Sequence, residues 1–334
     1  MFSRKIGLDL GTVNTLVFHL KKGIIVNEPT IVALSTQDNQ VLAVGREAQK
    51  MVGRAPEDIV INKPLKRGVI ADYQAAKGLI SYFMDKAVAD FPFLNLEAVV
   101  SVPAGITSAE KRALVKAAQQ AGAQKIFLVK EPILAALGAG LAINEPSGHL
   151  VVNIGGGIAE IAAISLGGMV SVKTVRLGGN DFDEKVVDYV KKQYNLAIGE
   201  KTAEEIKITI GAALPKEEDE ILEIRGRDEI DGLPKNIEIT SSEITNIFKP
   251  LVYEIVKGIK EVFHDTPPEL SADIMNQGIV LTGGGALLSG LDEFITQALG
   301  VPCFVAEEAL FCVVKGTGLV LKNLSVYKRS IVAY

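Results

Sequence analysis

Two short segments of this 334-residue chain combine glycines with small polar residues in a pattern suited to holding phosphate. Residues 9–15 read Asp-Leu-Gly-Thr-Val-Asn-Thr, and residues 153–158 read Asn-Ile-Gly-Gly-Gly-Ile. Each segment lies between two apolar runs, so each is predicted to form the turn of a β-hairpin. Backbone N–H groups in such turns can bind phosphate oxygens without a cationic side chain. One hairpin in each half of the chain therefore predicts a duplicated domain that grips one polyphosphate from both sides.

A third glycine run, Thr282-Gly283-Gly284-Gly285-Ala286, follows the apolar segment 278–281. Any one of the three runs could be no more than a tight turn. Three runs in this order, each after a predicted strand, favour a nucleotide site. We expect the backbone amides of residues 11–15, 155–157 and 283–285 to supply most of the binding.

The order of the three runs resembles the superfamily of actin, sugar kinases and 70-kDa heat-shock ATPases, where they are the phosphate-1, phosphate-2 and adenosine loops. Other segments resemble one branch only, MreB, the bacterial actins that form filaments under the cell membrane. These segments are Asn27-Glu28-Pro29, Ala43 to Ala48, Gly68 to Asp72, Val102 to Thr107, Gly199 to Glu205 and Thr266 to Leu270. The match runs from about Ile6 to Leu321, and the chain is identified as a divergent member of that family.

The resemblance implies an α/β, duplicated actin-like (ribonuclease H-like) fold. Its two lobes flank a nucleotide cleft, and each lobe carries a smaller subdomain; a length of 334 residues also favours two lobes. The expected subdomains are IA at 1–30, 68–145 and 320–334, IB at 31–67, IIA at 146–180 and 244–319, and IIB at 181–243. We expect the small lobe near 180–245 to meet the small lobe near 30–70.

Local signals position these elements along the chain. Thr107 and Glu110 form a capping-box pattern that predicts a helix start, and Pro132 suits the first turn of a helix expected to reach Leu141. A β-rich excursion is expected at 219–240. Further helices are predicted at 73–89, 180–194, 202–212, 242–263, 268–275, 289–299 and 307–322.

The resemblance also implies roles for single residues. Asp9 would hold the water shell of Mg²⁺, with Asn153 as a weak second ligand. Glu131 would orient the attacking water, and Glu204 with Lys207 would contact the ribose and adenine. The other nucleotide contacts would be Gly11, Thr12, Val13, Asn14, Gly155, Gly156, Gly157, Gly283, Gly284, Gly285 and Ala286.

The residues by themselves leave plainer interpretations open for the same positions. Asp9 could bond its own turn, and Glu131 could be an ordinary carboxylate at a helix N-terminus. Glu204 and Lys207, three apart on a helix, could form a solvated surface ion pair.

The second loop departs from the family pattern Asp-Ile-Gly-Gly-Gly-Thr-Thr. Asn153 replaces the aspartate, and Ile158 and Ala159 replace the two threonines. Lys130, where the family commonly has glutamate, adds a positive charge next to Glu131. Phosphoryl transfer depends on positioning and electrostatics, and loss of a water-orienting group costs on the order of 10²–10³ in rate. We therefore expect nucleotide binding with weak or absent hydrolysis.

Composition limits the partners. A net charge of −5 and a pI near 5.5 disfavour nucleic acid. Cys303 and Cys312 are interpreted as buried thiols, and the sequence has no apolar run of membrane-spanning length.

We expect a cytoplasmic protein, with peripheral contact at the inner face of the cell membrane. The apolar loop containing Phe91, Phe93 and Leu94 would make that contact, or would plug a neighbouring helix. The basic segment 327–331 could assist it.

The expected function is that of a cytoskeletal subunit that binds ATP or ADP with Mg²⁺ and supports cell shape or shape-linked motility. Its partners would be further copies in head-to-tail filaments, paired protofilaments and other bacterial actins. A sugar kinase is disfavoured because no aspartate is a candidate for its catalytic base, and a chaperone ATPase would carry a substrate-binding domain beyond residue 330. A monomeric nucleotide sensor, or a partner subunit of other MreB filaments, remains the alternative.

Overall fold

The computed structural model describes residues 3–88 and 95–334. Strands before residue 148 are β1 (Ser3–Leu10), β2 (Asn14–His19), β3 (Gly23–Pro29), β4 (Val32–Ser35), β5 (Val41–Val44), β6 (Ile59–Asn62), β7 (Leu65–Lys66), β8 (Val69–Ile70), β9 (Asn95–Val102) and β10 (Ala123–Lys130). Later strands are β11 (His149–Ile154), β12 (Ala159–Ser165), β13 (Gly168–Val175), β14 (Leu196–Ala197), β15 (Ile221–Asp228), β16 (Pro234–Thr240), β17 (Ile279–Thr282), β18 (Cys303–Val305) and β19 (Ile331–Ala333).

The helices of the described residues are α1 (Arg46–Lys50), α2 (Tyr73–Val88), α3 (Ser108–Gln120), α4 (Glu131–Gly138), α5 (Gly179–Tyr194), α6 (Glu200–Ile210), α7 (Ser241–His264), α8 (Pro268–Gln277), α9 (Leu291–Leu299) and α10 (Cys312–Lys322). Thr107 caps α3, because its hydroxyl accepts from Glu110 N while the Glu110 carboxylate accepts from Thr107 N. The predicted capping box is therefore confirmed.

Two large sheets repeat one topology. The first large sheet has the order β19-β10-β9-β1-β2-β3, and the second large sheet has the order β13-β12-β11-β17-β18. In each, an antiparallel meander (β1-β2-β3 or β11-β12-β13) is followed by strands added in parallel beside its first strand. This repeat confirms the predicted duplicated α/β architecture.

A smaller sheet is inserted in each half. The first small sheet is β5-β4-β6, and the second small sheet is β14-β15-β16. Ion pairs join the two insertions within one chain: Lys63 to Glu200, and Arg67 to Asp181 at 3.7 Å. The two small lobes therefore meet above the glycine hairpins.

The two large sheets share a core built on α4 and α10. Buried apolar residues from both sheets, among them Val99 and Val151, pack against these two helices. The helices approach closely enough that a methyl group on Gly138 would overlap the backbone of Cys312. Glycine at this point therefore lets α4 and α10 tie the halves together.

The largest differences from the sequence predictions are at the end of α4, at the start of α10 and in the C-terminal segment. Helix α4 ends at Gly138 rather than Leu141, because Gly140 follows with a φ of +82° that ends the helix. Helix α10 begins at Cys312 rather than 307, because Glu308 has a left-handed φ of +50° and residues 309–311 form a 3₁₀ turn. The C-terminal segment adds strand β19 to the first large sheet, antiparallel to β10. Both cysteines are buried free thiols, as predicted.

Candidate functional site

The tips of the two glycine hairpins face each other. A methyl group on Gly156 in the second hairpin would overlap the Val13 side chain in the first. A methyl group on Gly157 would lie 3.0 Å from Thr12 Oγ1. Only glycine allows these turns to approach so closely. The two loops predicted to bind phosphate therefore lie together, where the two halves meet.

The third glycine loop is joined to the second through Asn153. Strand β17 pairs in parallel with β11 and sets Thr282 beside Asn153. Thr282 Oγ1 donates to Asn153 Oδ1 at 3.2 Å, and both side chains are buried. A methyl group on Gly283 would lie 2.9 Å from the same Oδ1 atom. All three glycine runs therefore converge on one region.

The first turn of α5 also docks on the second loop, and sequence reasoning missed this contact. Gly179 N donates to Gly155 O at 2.9 Å, and Asn180 N donates to Gly156 O at 2.8 Å. A methyl group on Gly178 would lie 2.6 Å from backbone atoms of residues 155–157. The Gly-Gly pair before a helical pattern was the available signal. The positive end of the α5 dipole therefore adjoins the glycine hairpins.

Two of the amides expected to bind nucleotide are used within the protein. Gly155 N donates to Ile158 O at 2.9 Å, which closes the second turn, and Gly283 N donates to Ala309 O at 2.8 Å. The prediction that Gly155 N and Gly283 N bind the nucleotide is therefore wrong, because both amides already donate to carbonyl groups of the protein. The hydroxyl of Thr12 is also engaged, since it accepts from Gly68 N at 3.0 Å. The Asn14, Gly284 and Gly285 amides remain in the predicted set.

Lys207 and Glu204 have different environments on α6. The Lys207 ammonium lies 2.8 Å from Asp183 Oδ1 and donates to Gly179 O at 3.1 Å. Burial raises the pKa of Asp183, and Lys207 opposes that shift. Glu204 is exposed. The plain interpretation of Glu204 and Lys207 as a mutual surface pair is therefore wrong for Lys207, which pairs with Asp183 on α5, a residue that sequence reasoning missed.

Asp9 is a buried carboxylate at the end of β1. Its Oδ1 accepts from Ser101 Oγ at 2.8 Å, and Ser101 belongs to the neighbouring parallel strand β9. Burial raises the pKa of Asp9 to about 6, although the Ser101 bond works in the opposite direction. The plain interpretation, in which Asp9 bonds its own turn, is not what the structure shows, because its hydrogen bond goes to Ser101 on another strand.

Glu160 is a second buried carboxylate, on β12 opposite Asn153, and sequence reasoning missed it. Its Oε1 accepts from Ala104 N at 2.7 Å, which links the second large sheet to the loop after β9. Its Oε2 is buried without a hydrogen-bond partner among the described residues. Burial raises the pKa of Glu160 to about 7. A lone acid inside the apolar run 158–164 was the signal that could have identified it.

Glu131 is the first residue of α4 and completes a group of three carboxylates. Its pKa is raised well above the usual range by burial, and then by the negative charges of Glu160 and Asp9. Repulsion between these groups means that they share one electrostatic environment. Lys130, expected to act on Glu131, lowers the pKa of Glu160 instead, as a minor contribution. Glu131 also lies in the first turn of α4, as the plain interpretation of a helix-terminal acid requires.

Ile158 fills the space beside the second loop with apolar atoms. It is buried, and a methyl group on Gly68 would lie 3.0 Å from its Cδ1 and 2.8 Å from Pro103 Cγ. The side chain therefore lies between the second hairpin and two loops of the first half. No hydroxyl is present at this position to hold a water molecule.

Comparison with known proteins identifies the chain. The MreB/Mbl protein family matches residues 3–329. The chain belongs to the MreB/Mbl family. It is 46% identical over 324 residues to the cell shape-determining protein Mbl of Bacillus cereus, covering 97% of each chain.

Solved structures agree with this assignment to the MreB/Mbl family. MreB5 of Spiroplasma citri bound to ADP has a TM-score of 0.92 and 37% identity, over 96% of this chain and 97% of that one. Its structure bound to AMPPNP has a TM-score of 0.91 and 35% identity, over 98% and 99% of the two chains. The predicted actin-like fold is thereby confirmed.

The predicted membrane loop of this MreB/Mbl chain cannot be compared with the fold. Phe91, Phe93 and Leu94 lie outside the described residues. Within the described residues, none of the helices combines the length and apolar character needed to span a bilayer. Ile331, from the basic segment expected to assist membrane contact, lies in β19 and packs against the shared core.

Proposed function

We propose that this chain is a nucleotide-binding, filament-forming cytoskeletal subunit that supports bacterial cell shape or shape-linked motility. The convergence of three glycine loops beside buried carboxylates, where the two halves of the chain meet, carries the proposal. The relatives support it, since Mbl is described as cell shape-determining and MreB5 was solved with ADP and AMPPNP.

The bound nucleotide would be ATP or ADP, with its phosphates between the two hairpin tips. Backbone amides near Gly11, Val13, Asn14, Gly156 and Gly157 would hold the phosphates, helped by the first turn of α5. The third loop, with Gly284, Gly285 and Ala286, would hold the adenosine. Lys207 lies next to Gly179 at the second hairpin, so it would contact the nucleotide through its apolar stem while its ammonium stays paired with Asp183. Glu204, exposed on the same helix, would reach the ribose.

Mg²⁺ would fit at Asp9. Within the described residues, no cluster of three or more histidine, cysteine, aspartate or glutamate side chains forms a protein-only metal site. That finding suits Mg²⁺, which keeps several waters and uses one or two carboxylates together with substrate phosphates. Burial raises the pKa values of Asp9 and Glu160, and a bound cation would stabilise their ionised forms against that loss of solvation. The bound ion would neutralise phosphate charge, with Asp9 as the main protein carboxylate and Asn153 as a weak neutral ligand.

Hydrolysis would be weak or absent. Asn153 supplies no charge, and its oxygen is already bonded by Thr282. Ile158 fills the position from which a hydroxyl would orient water beside Glu131. Binding rests on backbone groups that these side chains do not remove. The nucleotide would therefore act mainly as a structural ligand.

Assembly would be head-to-tail, with pairing of protofilaments and mixed contacts with other bacterial actins. Peripheral contact at the inner face of the cell membrane would use the loop with Phe91, Phe93 and Leu94, giving a cytoplasmic protein at the membrane surface. A single short apolar loop gives only weak and reversible lipid affinity.

Sedimentation and phosphate release, measured on one preparation with ATP and Mg²⁺, test this function. We expect nucleotide-dependent pelleting with phosphate release far slower than the filament forms. Nucleotide binding without pelleting at any concentration would instead identify a monomeric sensor. Failure to bind nucleotide would remove the proposal altogether.

A further inference from the structure

A hairpin of the first half ends in a turn that lies against both of the loops predicted to bind phosphate. Strands β7 and β8 are joined by the two-residue turn Arg67-Gly68. Gly68 N donates to Thr12 Oγ1 of the first loop at 3.0 Å. A methyl group on Gly157 of the second loop would lie 3.0 Å from Arg67 Cα. The turn is therefore held between the two loops, beside the place proposed for the phosphates.

The backbone of Arg67 is unusual for an arginine. Its φ is +49°, and that of Gly68 is +77°. Positive φ at both central residues is the geometry of a type I′ turn, in which asparagine, aspartate and glycine are favoured. A long side chain in this conformation is strained, and strained residues cluster where ligands bind. The turn by itself therefore gives no reason for an arginine at this position.

The ion pair of Arg67 is loose. Its Nη2 lies 3.7 Å from Asp181 Oδ1, which is too far for a hydrogen bond, and the Arg67 side chain is 55% exposed. Lys207, beside the same loop, lies 2.8 Å from Asp183 Oδ1 and is 18% exposed. Exposed ion pairs contribute little to stability. Arg67 can therefore leave its partner at a smaller cost than Lys207 can.

The partner of Arg67 is fixed by its own helix. Asp181 Oδ2 accepts from Gly178 N at 2.7 Å in the first turn of α5. That turn docks on the second loop, because Asn180 N donates to Gly156 O. The guanidinium of Arg67 therefore lies at the N-terminus of α5, next to the loop whose amides are proposed to bind phosphate.

From this placement we propose that Arg67 binds the third phosphate group of the nucleotide. That group is the γ-phosphate of ATP or the phosphate that remains after hydrolysis. The proposal rests on the proposed nucleotide-binding function and assigns a further residue to it. A phosphate offers two oxygens to the planar guanidinium and replaces the loose pair with Asp181. ADP lacks this group and leaves Arg67 with Asp181, so the ion pair between the two halves depends on which nucleotide is bound.

Three variants separate phosphate binding from an ordinary contact between the small lobes. Arg67→Asn removes the cation and keeps the turn, because asparagine tolerates positive φ. Arg67→Lys keeps the charge without the planar pair of donors. Lys63→Gln is the matched control, since it removes another cation that pairs across the small lobes, with Glu200 at the start of α6. Melting curves check that each variant keeps its fold.

Titrations with AMPPNP, with ADP, and with ADP plus inorganic phosphate give the readout. Arg67→Asn should weaken AMPPNP binding about tenfold and change ADP binding by less than about twofold. Arg67→Lys should weaken AMPPNP binding about threefold. Lys63→Gln should keep the unmodified ratio of the two affinities. A loss in Arg67→Asn confined to the gain that inorganic phosphate gives to ADP binding would assign Arg67 to the released phosphate instead.

Asp181→Asn tests the exchange of partners. The asparagine oxygen still accepts from Gly178 N, so α5 begins as before. Loss of the competing carboxylate should tighten AMPPNP binding about threefold, and clearly less when it is combined with Arg67→Asn. Equal gains in the two backgrounds would contradict the exchange.

Two results would overturn the inference and leave the nucleotide site intact. In the first, Arg67→Asn binds AMPPNP, ADP and phosphate as the unmodified chain does. In the second, Arg67→Asn loses AMPPNP and ADP affinity equally, which would make Arg67 a contact between lobes. In both cases the unmodified chain still binds nucleotide, so the proposed function survives. An unmodified chain that binds neither AMPPNP nor ADP defeats the proposed function and the inference together.

Discussion

The hairpins β1–β2 and β11–β12 share a backbone plan but differ in charge. In each, the last polar residue before the glycines is bonded by a hydroxyl from the neighbouring parallel strand: Asp9 by Ser101, and Asn153 by Thr282. The first hairpin keeps the carboxylate at this position, whereas the second has an amide there and places its buried acid at Glu160. The duplicated fold therefore fixes where the backbone goes, and single side chains decide which half carries the charge.

The largest expected effect is on the pH dependence of stability, and it depends on Glu160 in the second hairpin. The pKa of Glu160 is raised from 4.5 to about 7, so its contribution to stability is complete below pH 4.5 and is lost as pH rises through 7. Glu160→Gln keeps an acceptor for Ala104 N but cannot ionise. Its free energy of unfolding, relative to the unmodified chain, should rise by about 3 kcal/mol between pH 5 and 8 in denaturant melts.

Asp219→Asn is the control for that experiment. The pKa of Asp219 is lowered from 3.8 by hydrogen bonds from Ser241 and Ser242, so its contribution is present throughout pH 5–8 and is lost only as pH falls below that window. The difference in free energy of unfolding between Asp219→Asn and the unmodified chain should therefore stay constant between pH 5 and 8. If the difference in free energy of unfolding for Glu160→Gln also stays constant with pH, Glu160 does not have a raised pKa in the folded protein. The proposed difference in charge between the two hairpins would then be wrong.

Restoring the family residues sharpens the comparison at the second loop. Ile158→Thr with Asn153→Asp should raise phosphate release about a hundredfold, because a hydroxyl and a charge return beside Glu131. ATP affinity should change by only a few-fold. Ile158→Val with Asn153→Asp is the matched control, since valine has the shape of threonine without its hydroxyl. Equal rates for the two double variants, or fast release by the unmodified chain, would contradict the assignment.

The close contact between the two hairpin tips is tested by adding a methyl group at Gly156 and measuring nucleotide affinity. Gly156→Ala would overlap Val13 and force the tips apart, at a cost of about 2 kcal/mol, or roughly thirtyfold in nucleotide affinity. Adding Val13→Ala should recover most of the loss. Gly199→Ala meets no atom within 4 Å and should bind nucleotide normally. Fluorescent-nucleotide titrations measure all three; full affinity in Gly156→Ala would show that the tips do not share a ligand.

The smallest expected effect is on the gain in nucleotide affinity that Mg²⁺ provides. Asp9→Asn should remove about tenfold of the affinity that Mg²⁺ adds to nucleotide binding, because the ion loses its charged protein partner. Asn153→Ala should leave the Mg²⁺ effect nearly unchanged. Titrations with Mg²⁺ and with a chelator separate the two. The reverse ranking would mean that the second hairpin, not the first, organises the ion.

Local signals accounted for most of the elements. Apolar runs on both sides of each glycine turn predicted the paired hairpins, and the Thr107–Glu110 box predicted the start of α3. Boundaries failed where left-handed residues such as Glu308 interrupt an apolar helical pattern, because that pattern does not report φ. The candidate site was recognised through its glycine loops, whose spacing and flanking strands are visible along the chain.

The sequence by itself determined the duplicated α/β plan, the three glycine loops and the loss of charge and hydroxyl at Asn153 and Ile158, since these depend on neighbours along the chain. Only the tertiary structure decided that Glu160 bonds Ala104, that Lys207 pairs with Asp183, and that the Gly155 and Gly283 amides are already used. Their partners lie 24 to 56 residues away, or belong to turns that close on themselves. Burial and repulsion among Asp9, Glu131 and Glu160 arise only because the fold brings β1, α4 and β12 together at one place.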